Sequence, residues 1–244
     1  MIINVENLSK TFFIPHERRL SIKDHLAHLF SRMSYEKFDA LKNISFQLEQ
    51  SQWLGIIGDN GAGKSTLLKI LSGIYVSDSG TIGISGKTIP FLELGVGFQP
   101  ELSARDNIYL NGLLLGLSKK EISEKFDEIV EFAEVSAFID QKLKNYSSGM
   151  KLRLGFAVAI QAPGDIFLID EILAVGDNAF QQKSLATFKN KLKNKTVVLV
   201  SHDMNKIKEN CQKVLWLEKG KVKMLGETNE VVGAYLQTNN MKKK

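Results

Sequence analysis

Short apolar segments along the chain predict β-strands. Residues 2–5 form one such segment, and residues 44–48 alternate between apolar and polar side chains, as in a strand with one buried face. Continuous apolar runs at residues 51–57, 165–169 and 196–200 predict strands that are fully buried. The chain therefore has strand patterns at its start, near residue 50 and in its second half.

Two further stretches combine alternation with turn residues. Residues 80–90 are rich in Gly, Ser and Thr with alternating isoleucines, and this pattern predicts a hairpin. Residues 214–217 and 222–225 predict a second hairpin, which closes around Lys219 and Gly220.

Apolar positions with helical spacing occupy the middle of the chain. Residues 103–133 show this spacing in two consecutive segments, and Ser118 with Glu121 forms a capping box that predicts the start of the second helix. Another helix is predicted at residues 147–160, before Pro163-Gly164.

The order of these elements predicts an α/β protein with a helical insertion. The α/β core would comprise residues 1–98 and 164–244, and residues 99–163 would form a helical subdomain. Residues 13–39 form a shorter insertion in which apolar side chains between residues 22 and 33 fall on one helical face. Its positive charge comes from His16, Arg18, Arg19, Lys23 and Arg32. Such a basic amphipathic helix either lies near a membrane or a partner helix, or packs on the domain's own surface.

Composition narrows the class of protein. The chain has 244 residues, 43% hydrophobic and 24% charged, which is ordinary for a globular domain. The net charge of +5 is modest, so no nucleic-acid partner is expected. The single cysteine, Cys211, cannot form a disulfide within the chain, which suits a reducing compartment. No apolar run approaches the roughly 18 residues of a membrane-spanning helix, and no signal-peptide pattern is present. If the protein acts at a membrane, we expect it to do so from the cytosolic side through a partner.

Residues 58–65 match the phosphate-binding P-loop pattern G-x-x-x-x-G-K-[ST]. They lie between an apolar strand and a helix predicted to extend to about Leu71, the context that the motif requires. The glycines allow backbone N–H groups to face a phosphate chain, and the helix N-terminus faces the same anion. Lys64 is expected to reach the β- and γ-phosphates and Ser65 to bind Mg²⁺. The candidate nucleotide-binding residues of this segment are Gly58, Asp59, Asn60, Gly61, Ala62, Gly63, Lys64, Ser65 and Thr66.

Two acidic residues, Asp170 and Glu171, follow the apolar strand in the second half of the chain. Two adjacent carboxylates repel each other, and a metal ion with a substrate water would account for both. Asp170 is therefore the candidate Mg²⁺ ligand, directly or through water. Glu171 is the candidate catalytic residue that polarises the attacking water.

Residues 146–150, Tyr-Ser-Ser-Gly-Met, precede a predicted helix and form a second candidate anion site. With the two motifs above, this segment resembles the LSGGQ signature of the ATP-binding subunits of ABC transporters, from which it departs at Tyr146, Ser148 and Met150. The resemblance spans nearly the whole chain and implies one ABC nucleotide-binding domain over residues 1–244, with a P-loop NTPase (RecA-like) core and an N-terminal antiparallel β part. It also implies that two chains enclose two ATP molecules, with Ser147, Ser148 and Gly149 of one chain facing the γ-phosphate held by the other.

The same resemblance assigns roles to further residues. Gln99 looks like the Q-loop glutamine, which contacts the nucleotide site and senses Mg²⁺, and Asp177 looks like the D-loop aspartate beside the nucleotide. His202 looks like the switch histidine, a second catalytic residue that bridges the γ-phosphate and the catalytic glutamate. Phe12 occupies the place of the aromatic residue that stacks on adenine, and Phe13 is the alternative.

Within the family, residues 92–112, 146–150 and 170–177 resemble the branch that exports polysaccharides. The resemblance implies an ATPase that couples hydrolysis to export of a lipid-linked, O-antigen-like polysaccharide, with teichoic acid and capsular polymers as alternatives. Its partners would be a second copy of the chain and a polytopic transmembrane permease on the cytoplasmic face of the inner membrane. Many O-antigen members carry an added carbohydrate-binding domain, so the end at Lys244 indicates either a version without it or a shortened chain.

Two other classes of P-loop protein fit less well. A soluble ABC-type ATPase of translation or DNA repair usually has two nucleotide domains or a long coiled coil, and neither pattern is present. A GTP-binding switch needs the guanine-reading sequence N-K-x-D, and residues 205–208 read Asn-Lys-Ile-Lys.

Overall fold

The computed structural model describes residues 1–15, 35–92, 94–170 and 178–242. Within these ranges the early strands are β1 (Ile3–Pro15), β2 (Tyr35–Leu48) and β4 (Ser79–Ile84). They form a three-stranded antiparallel sheet in the order β2-β1-β4.

The second sheet of the described chain has six strands. They are β3 (Trp53–Ile57), β5 (Thr88–Phe91), β6 (Ile166–Asp170), β7 (Thr196–Val200), β8 (Lys213–Glu218) and β9 (Lys221–Glu227). Their order is β5-β6-β7-β3-β8-β9, and the sheet is parallel except for β9. The strands β3, β6 and β7 are almost entirely buried because helices or the other sheet cover both faces.

Helices connect and cover these strands. They are α1 (Lys64–Leu71), α2 (Ala104–Leu114), α3 (Lys119–Ala133), α4 (Ser148–Ala159), α5 (Asn178–Leu192), α6 (Met204–Asn210) and α7 (Thr228–Lys242). The predicted capping box at the start of α3 is confirmed, with Ser118 and Glu121 bonding each other's backbone. Across the part of the chain that the structure describes, no helix is long and apolar enough to span a membrane.

Three apolar clusters hold the elements together. One lies between the two sheets and includes the buried face of α1. The second covers the other face of the six-stranded sheet, where Phe91, Phe156 and Phe188 meet edge to face or tilted. The third fills the space between α2, α3 and α4, which lie within the predicted helical subdomain, residues 99–163. Helix α4 contributes Phe156 to the second cluster and Leu154 to the third, so it connects the six-stranded sheet with α2 and α3.

The hairpin predicted at residues 80–90 is wrong. β4 pairs with β1 in the antiparallel sheet, whereas β5 pairs in parallel with β6 in the other sheet. The chain passes between the sheets near Gly86, whose φ of 121° favours glycine. Alternating apolar and polar residues indicate that one face of a strand is buried, but they do not identify the strand with which it pairs.

Both ends of the insertion predicted at residues 13–39 belong to strands in the structure. The strands β1 and β2 continue as a paired ribbon, with Phe12 opposite Phe38 and Pro15 opposite Tyr35. Residues 16–34, which carry the predicted amphipathic helix and its basic residues, lie outside the described residues.

Candidate functional site

The P-loop connects β3 to α1 and turns sharply at its glycines. Gly63 caps α1 with φ 103°, and among the described residues no side chain caps the helix. The first turn of α1 also contains no acidic residue. The start of α1, with the positive end of the helix dipole, therefore suits an anion.

The side chain of Lys64 stabilises the conformation of the P-loop through hydrogen bonds to the loop backbone. The residue is only 7% exposed, and Nζ donates hydrogen bonds to the carbonyl oxygens of Gly58 at 2.8 Å and Asp59 at 3.0 Å. Since a buried ammonium needs polar partners, the loop backbone wraps around it. The result is a fixed positive charge at the start of a helix.

Two glycines of the loop are required by close packing. A Cβ on Gly58 would collide with the carbonyl oxygen of Leu217 in β8. A Cβ on Gly63 would lie 2.6 Å from the carbonyl oxygen of Ala40 in β2. Both residues also have positive φ, at 147° and 103°. The loop is thus wedged between a strand of each sheet.

The candidate metal ligands meet at the carboxyl end of β6. Ser65 Oγ donates a hydrogen bond to Asp170 Oδ2 at 3.0 Å, across 105 residues of sequence. A hydroxyl and a carboxylate oxygen are ligands that Mg²⁺ prefers, and Mg²⁺ usually takes its remaining ligands from phosphates and water. Ser65 and Asp170 therefore fit the predicted metal site.

An open cleft of about 970 Å³, including its mouth, lies over these groups. The residues that line it are Phe38, Ala40, Asn60, Gly61, Gly63, Lys64, Ser65, Thr66, Asp170, Val200 and His202. The P-loop, the candidate metal ligands and the predicted switch histidine therefore share one cleft. His202 comes directly after Ser201 at the end of β7, next to β6 in the sheet, which is why it reaches the same edge.

Phe38 was missed by sequence reasoning. It is 47% exposed and lines the cleft, whereas the predicted Phe12 and Phe13 are not among the lining residues. Phe12 lies opposite Phe38 in the ladder and packs edge-on against Tyr75, with ring centroids 5.5 Å apart. Because Phe38 reaches the cleft only through the pairing of β1 with β2, residue spacing gave no signal for it.

The strand segment beside Phe38 is held by a carboxylate. Thr11 Oγ1 donates to Asp39 Oδ1 at 3.0 Å, and Lys37 Nζ lies 3.3 Å from the same oxygen. Hydrogen bonds from Thr11 and then Lys37 lower the pKa of the Asp39 carboxyl. The two strands of the ribbon are therefore hydrogen-bonded through the side chain of Asp39, the residue next to Phe38.

Gln99 is not brought into the cleft. Its side chain is exposed, and its backbone is fixed by the buried Asn107, which accepts from the N–H of Gln99 at 2.7 Å and donates to its carbonyl at 3.0 Å. The structure thus places Gln99 beside α2, the helix that carries Asn107. Asn107 is a positioning residue for this loop that the sequence analysis did not single out.

The predicted catalytic Glu171 and the predicted Asp177 lie outside the described residues. Their chain neighbours are described on both sides. Asp170 ends β6 in the cleft, and α5 begins at Asn178.

The predicted signature residues start α4. Ser147 caps the helix, and its Oγ accepts from the N–H of Met150 at 3.2 Å. Ser147 and Ser148 are exposed and do not line the cleft of their own chain. Among the described residues, a Cβ on Gly149 would meet nothing closer than Ser147 Oγ at 3.9 Å, so packing against them does not require a glycine there.

Tyr146, where the chain departs from the family signature, anchors this helix start. It is 4% exposed, and its hydroxyl donates to the carbonyl of Phe138 at 2.9 Å. Burial raises the pKa of the phenol to about 12, so it stays neutral. A leucine would fill the same core without that hydrogen bond.

A P-loop at a helix start, with an acidic strand end 3.0 Å from its serine, defines a nucleoside-triphosphate-binding protein of the P-loop class. The ABC transporter family model matches residues 41–174, more than half of the chain. The chain therefore belongs to the ABC transporter family.

Similar proteins include ATP-binding proteins of O-antigen export and of teichoic acid export. The O-antigen export system ATP-binding protein RfbB of Klebsiella pneumoniae is 39% identical over 97% of this chain and 98% of that protein. The teichoic acids export ATP-binding protein TagH of Lactococcus lactis is 43% identical over 96% of this chain and 50% of that protein. The solved dimer of the ATP-binding cassette MJ0796 with ADP and Pi aligns with a TM-score of 0.71 over 93% of this chain and 99% of that one, at 22% identity, which shows the fold.

Gly63→Ala tests the wedged loop. The substitution puts a Cβ against Ala40 and demands a left-handed alanine, so we expect ATP affinity to fall more than tenfold, measured by equilibrium titration. Gly73→Ala is the matched control, because Gly73 has φ 76° and open space around it among the described residues. The control should lose only about 1–2 kcal/mol of unfolding free energy in urea. Equal ATP affinity in both variants would contradict the role assigned to the wedge.

Proposed function

We propose that this chain is the ATP-hydrolysing subunit of an ABC exporter of a lipid-linked polysaccharide of the O-antigen or teichoic acid kind. The proposal rests on a cleft that brings the P-loop, Ser65 and Asp170 together, in a chain that is 39% identical to an O-antigen export ATP-binding protein over almost its whole length. Identities of 39% and 43% do not separate the two polymer classes. We therefore propose the substrate class that both would share, a polymer built on a lipid carrier.

The mechanism follows from where charges lie in the cleft. Lys64 and the first turn of α1 bind and orient the β- and γ-phosphates. Ser65 and Asp170 would hold Mg²⁺, which when bound neutralises charge on the phosphate oxygens. Glu171, the residue after Asp170, polarises the attacking water, and His202 at the cleft edge stabilises charge at the γ-phosphate.

The second half of the site is proposed to come from a second copy of the chain. The helix start at Ser147 is exposed, carries a glycine that packing among the described residues does not require, and lies away from its own cleft. Those properties fit a surface that approaches a phosphate held by another molecule. The dimeric cassette with the same fold supports this arrangement.

ATP binding would draw the two copies together, and hydrolysis would release them. We place the dimer on the cytoplasmic face of the inner membrane, attached to a polytopic transmembrane permease. Gln99 suits a role in transmission, because Asn107 ties its loop to α2 in the helical subdomain.

Replacement of the catalytic carboxylate tests the hydrolytic role. In the complex with its permease, Glu171→Gln should lower ATP turnover by about a hundredfold or more while ATP still binds, because a carboxamide is a poor base. Glu131→Gln, an exposed carboxylate on α3, is the matched control and should turn over ATP at the wild-type rate. Wild-type turnover by Glu171→Gln would remove this residue from catalysis.

Alanine substitutions distinguish the candidate base-stacking residues. We infer that Phe38 stacks on the base, so Phe38→Ala should weaken ATP binding by about 1–3 kcal/mol, roughly 5- to 150-fold in Kd. Phe13→Ala is the control, because Phe13 is 67% exposed and points to the other face of the ribbon. A larger loss in Phe12→Ala than in Phe38→Ala would return the stacking role to Phe12.

A further inference from the structure

The C-terminal part of the chain contacts the back of the P-loop. Tyr235 in α7 hydrogen-bonds through its hydroxyl to Asp59 Oδ1, at 3.3 Å and across 176 residues of sequence. Around this contact, the N–H of Gly220 donates to the carbonyl of Ala62 at 3.1 Å, and Gly58 packs against the carbonyl of Leu217. The β8–β9 hairpin and α7 together therefore touch three residues of the loop, and we call them the C-terminal brace.

Tyr235 is fixed in place by its packing within the C-terminal brace. The residue is 8% exposed, and its ring packs edge-on against Trp216 with centroids 5.3 Å apart. Val231 and Val232 bury the same helix in the core, and the Thr228 hydroxyl at its start donates to the carbonyl of Cys211 at 2.7 Å. The Tyr235 hydroxyl thus reaches the loop from a helix that is buried and hydrogen-bonded to the core.

Asp59 joins the brace to the cation of the site. Its backbone carbonyl accepts from Lys64 Nζ at 3.0 Å, while its side chain accepts from Tyr235. Its neighbours Asn60 and Gly61 line the cleft, and Asp59 does not. The carboxylate is therefore turned toward α7, away from the space for phosphates.

A carboxylate in a phosphate-binding loop carries the wrong charge for its ligand. Like charges a few ångströms apart repel by on the order of 1–4 kcal/mol near a protein surface. A hydrogen bond from Tyr235 keeps this charge at the back of the loop and leaves the Asp59 carbonyl aimed at Lys64.

We propose that Tyr235 is a positioning residue for nucleotide binding, acting through Asp59. The inference rests on the proposed ATP-binding function of the cleft. It adds that the C-terminal helix α7 sets the affinity of the P-loop, although α7 does not line the cleft.

A double-mutant cycle on the full chain tests this proposal. Tyr235→Phe keeps the ring on Trp216 and removes the hydroxyl, so the Kd for MgATP should rise roughly five- to tenfold. Asp59→Asn removes the charge and should bind MgATP at least as tightly as wild type. Adding Tyr235→Phe to Asp59→Asn should then change the Kd less than twofold. Thr238→Val, which deletes another hydroxyl bond on α7, is the matched control and should leave the Kd unchanged.

Each outcome bears on the proposal, and thermal unfolding of every variant is measured alongside. Equal losses of affinity from Tyr235→Phe in the wild-type chain and in the Asp59→Asn variant would overturn it and leave Tyr235 a purely structural residue. Weaker MgATP binding by Asp59→Asn than by wild type would also overturn it, because the charge would then not oppose the ligand. Failure of the wild-type chain to bind MgATP would overturn the proposed function itself, and this inference with it.

Discussion

The buried ammonium of Lys64 is the charge around which the cleft is arranged. Burying a cation at 7% exposure is costly, and the carbonyl groups of Gly58 and Asp59 offset that cost by curling the loop around it. The curled loop requires glycines with positive φ, and it ends where α1 begins. Among the described residues no side chain caps this helix, so its N-terminus adds to the positive potential of the cleft. This geometry suits a chain of phosphates, and Ser65 and Asp170 supply oxygen ligands of the kind that Mg²⁺ prefers.

Features that depend on local sequence were predictable. β3, β6 and β7 are buried on both faces, so each reads as an apolar run, and the P-loop and capping box are local patterns with a physical reason for each residue. Ser65 and Asp170 were also foreseeable, because parallel strands that end at one edge bring distant residues together.

Features that depend on pairing between remote strands were not predictable. The prediction of a hairpin at residues 80–90 was wrong because β4 and β5 belong to different sheets. Phe38 was missed because its position in the cleft follows from the register between β1 and β2. The helices α5 and α6 were not predicted either, because α5 is polar on average and the seven residues of α6 are too few for a clear periodic pattern. The link from Tyr235 to Asp59 likewise exists only in three dimensions.

In the proposed mechanism, each hydrolytic site is shared between two chains. Gly149→Asp tests it well, because the described part of the chain leaves room at Gly149 and an acid at a helix start is tolerated, whereas it would repel a phosphate on the partner. Lys64→Ala and Gly149→Asp proteins, each nearly inactive alone, are co-assembled with the permease and assayed for ATP turnover. Recovery well above the sum of the two separate rates is predicted, because the mixed dimer has one intact site. Turnover that merely averages the separate rates would contradict a shared site.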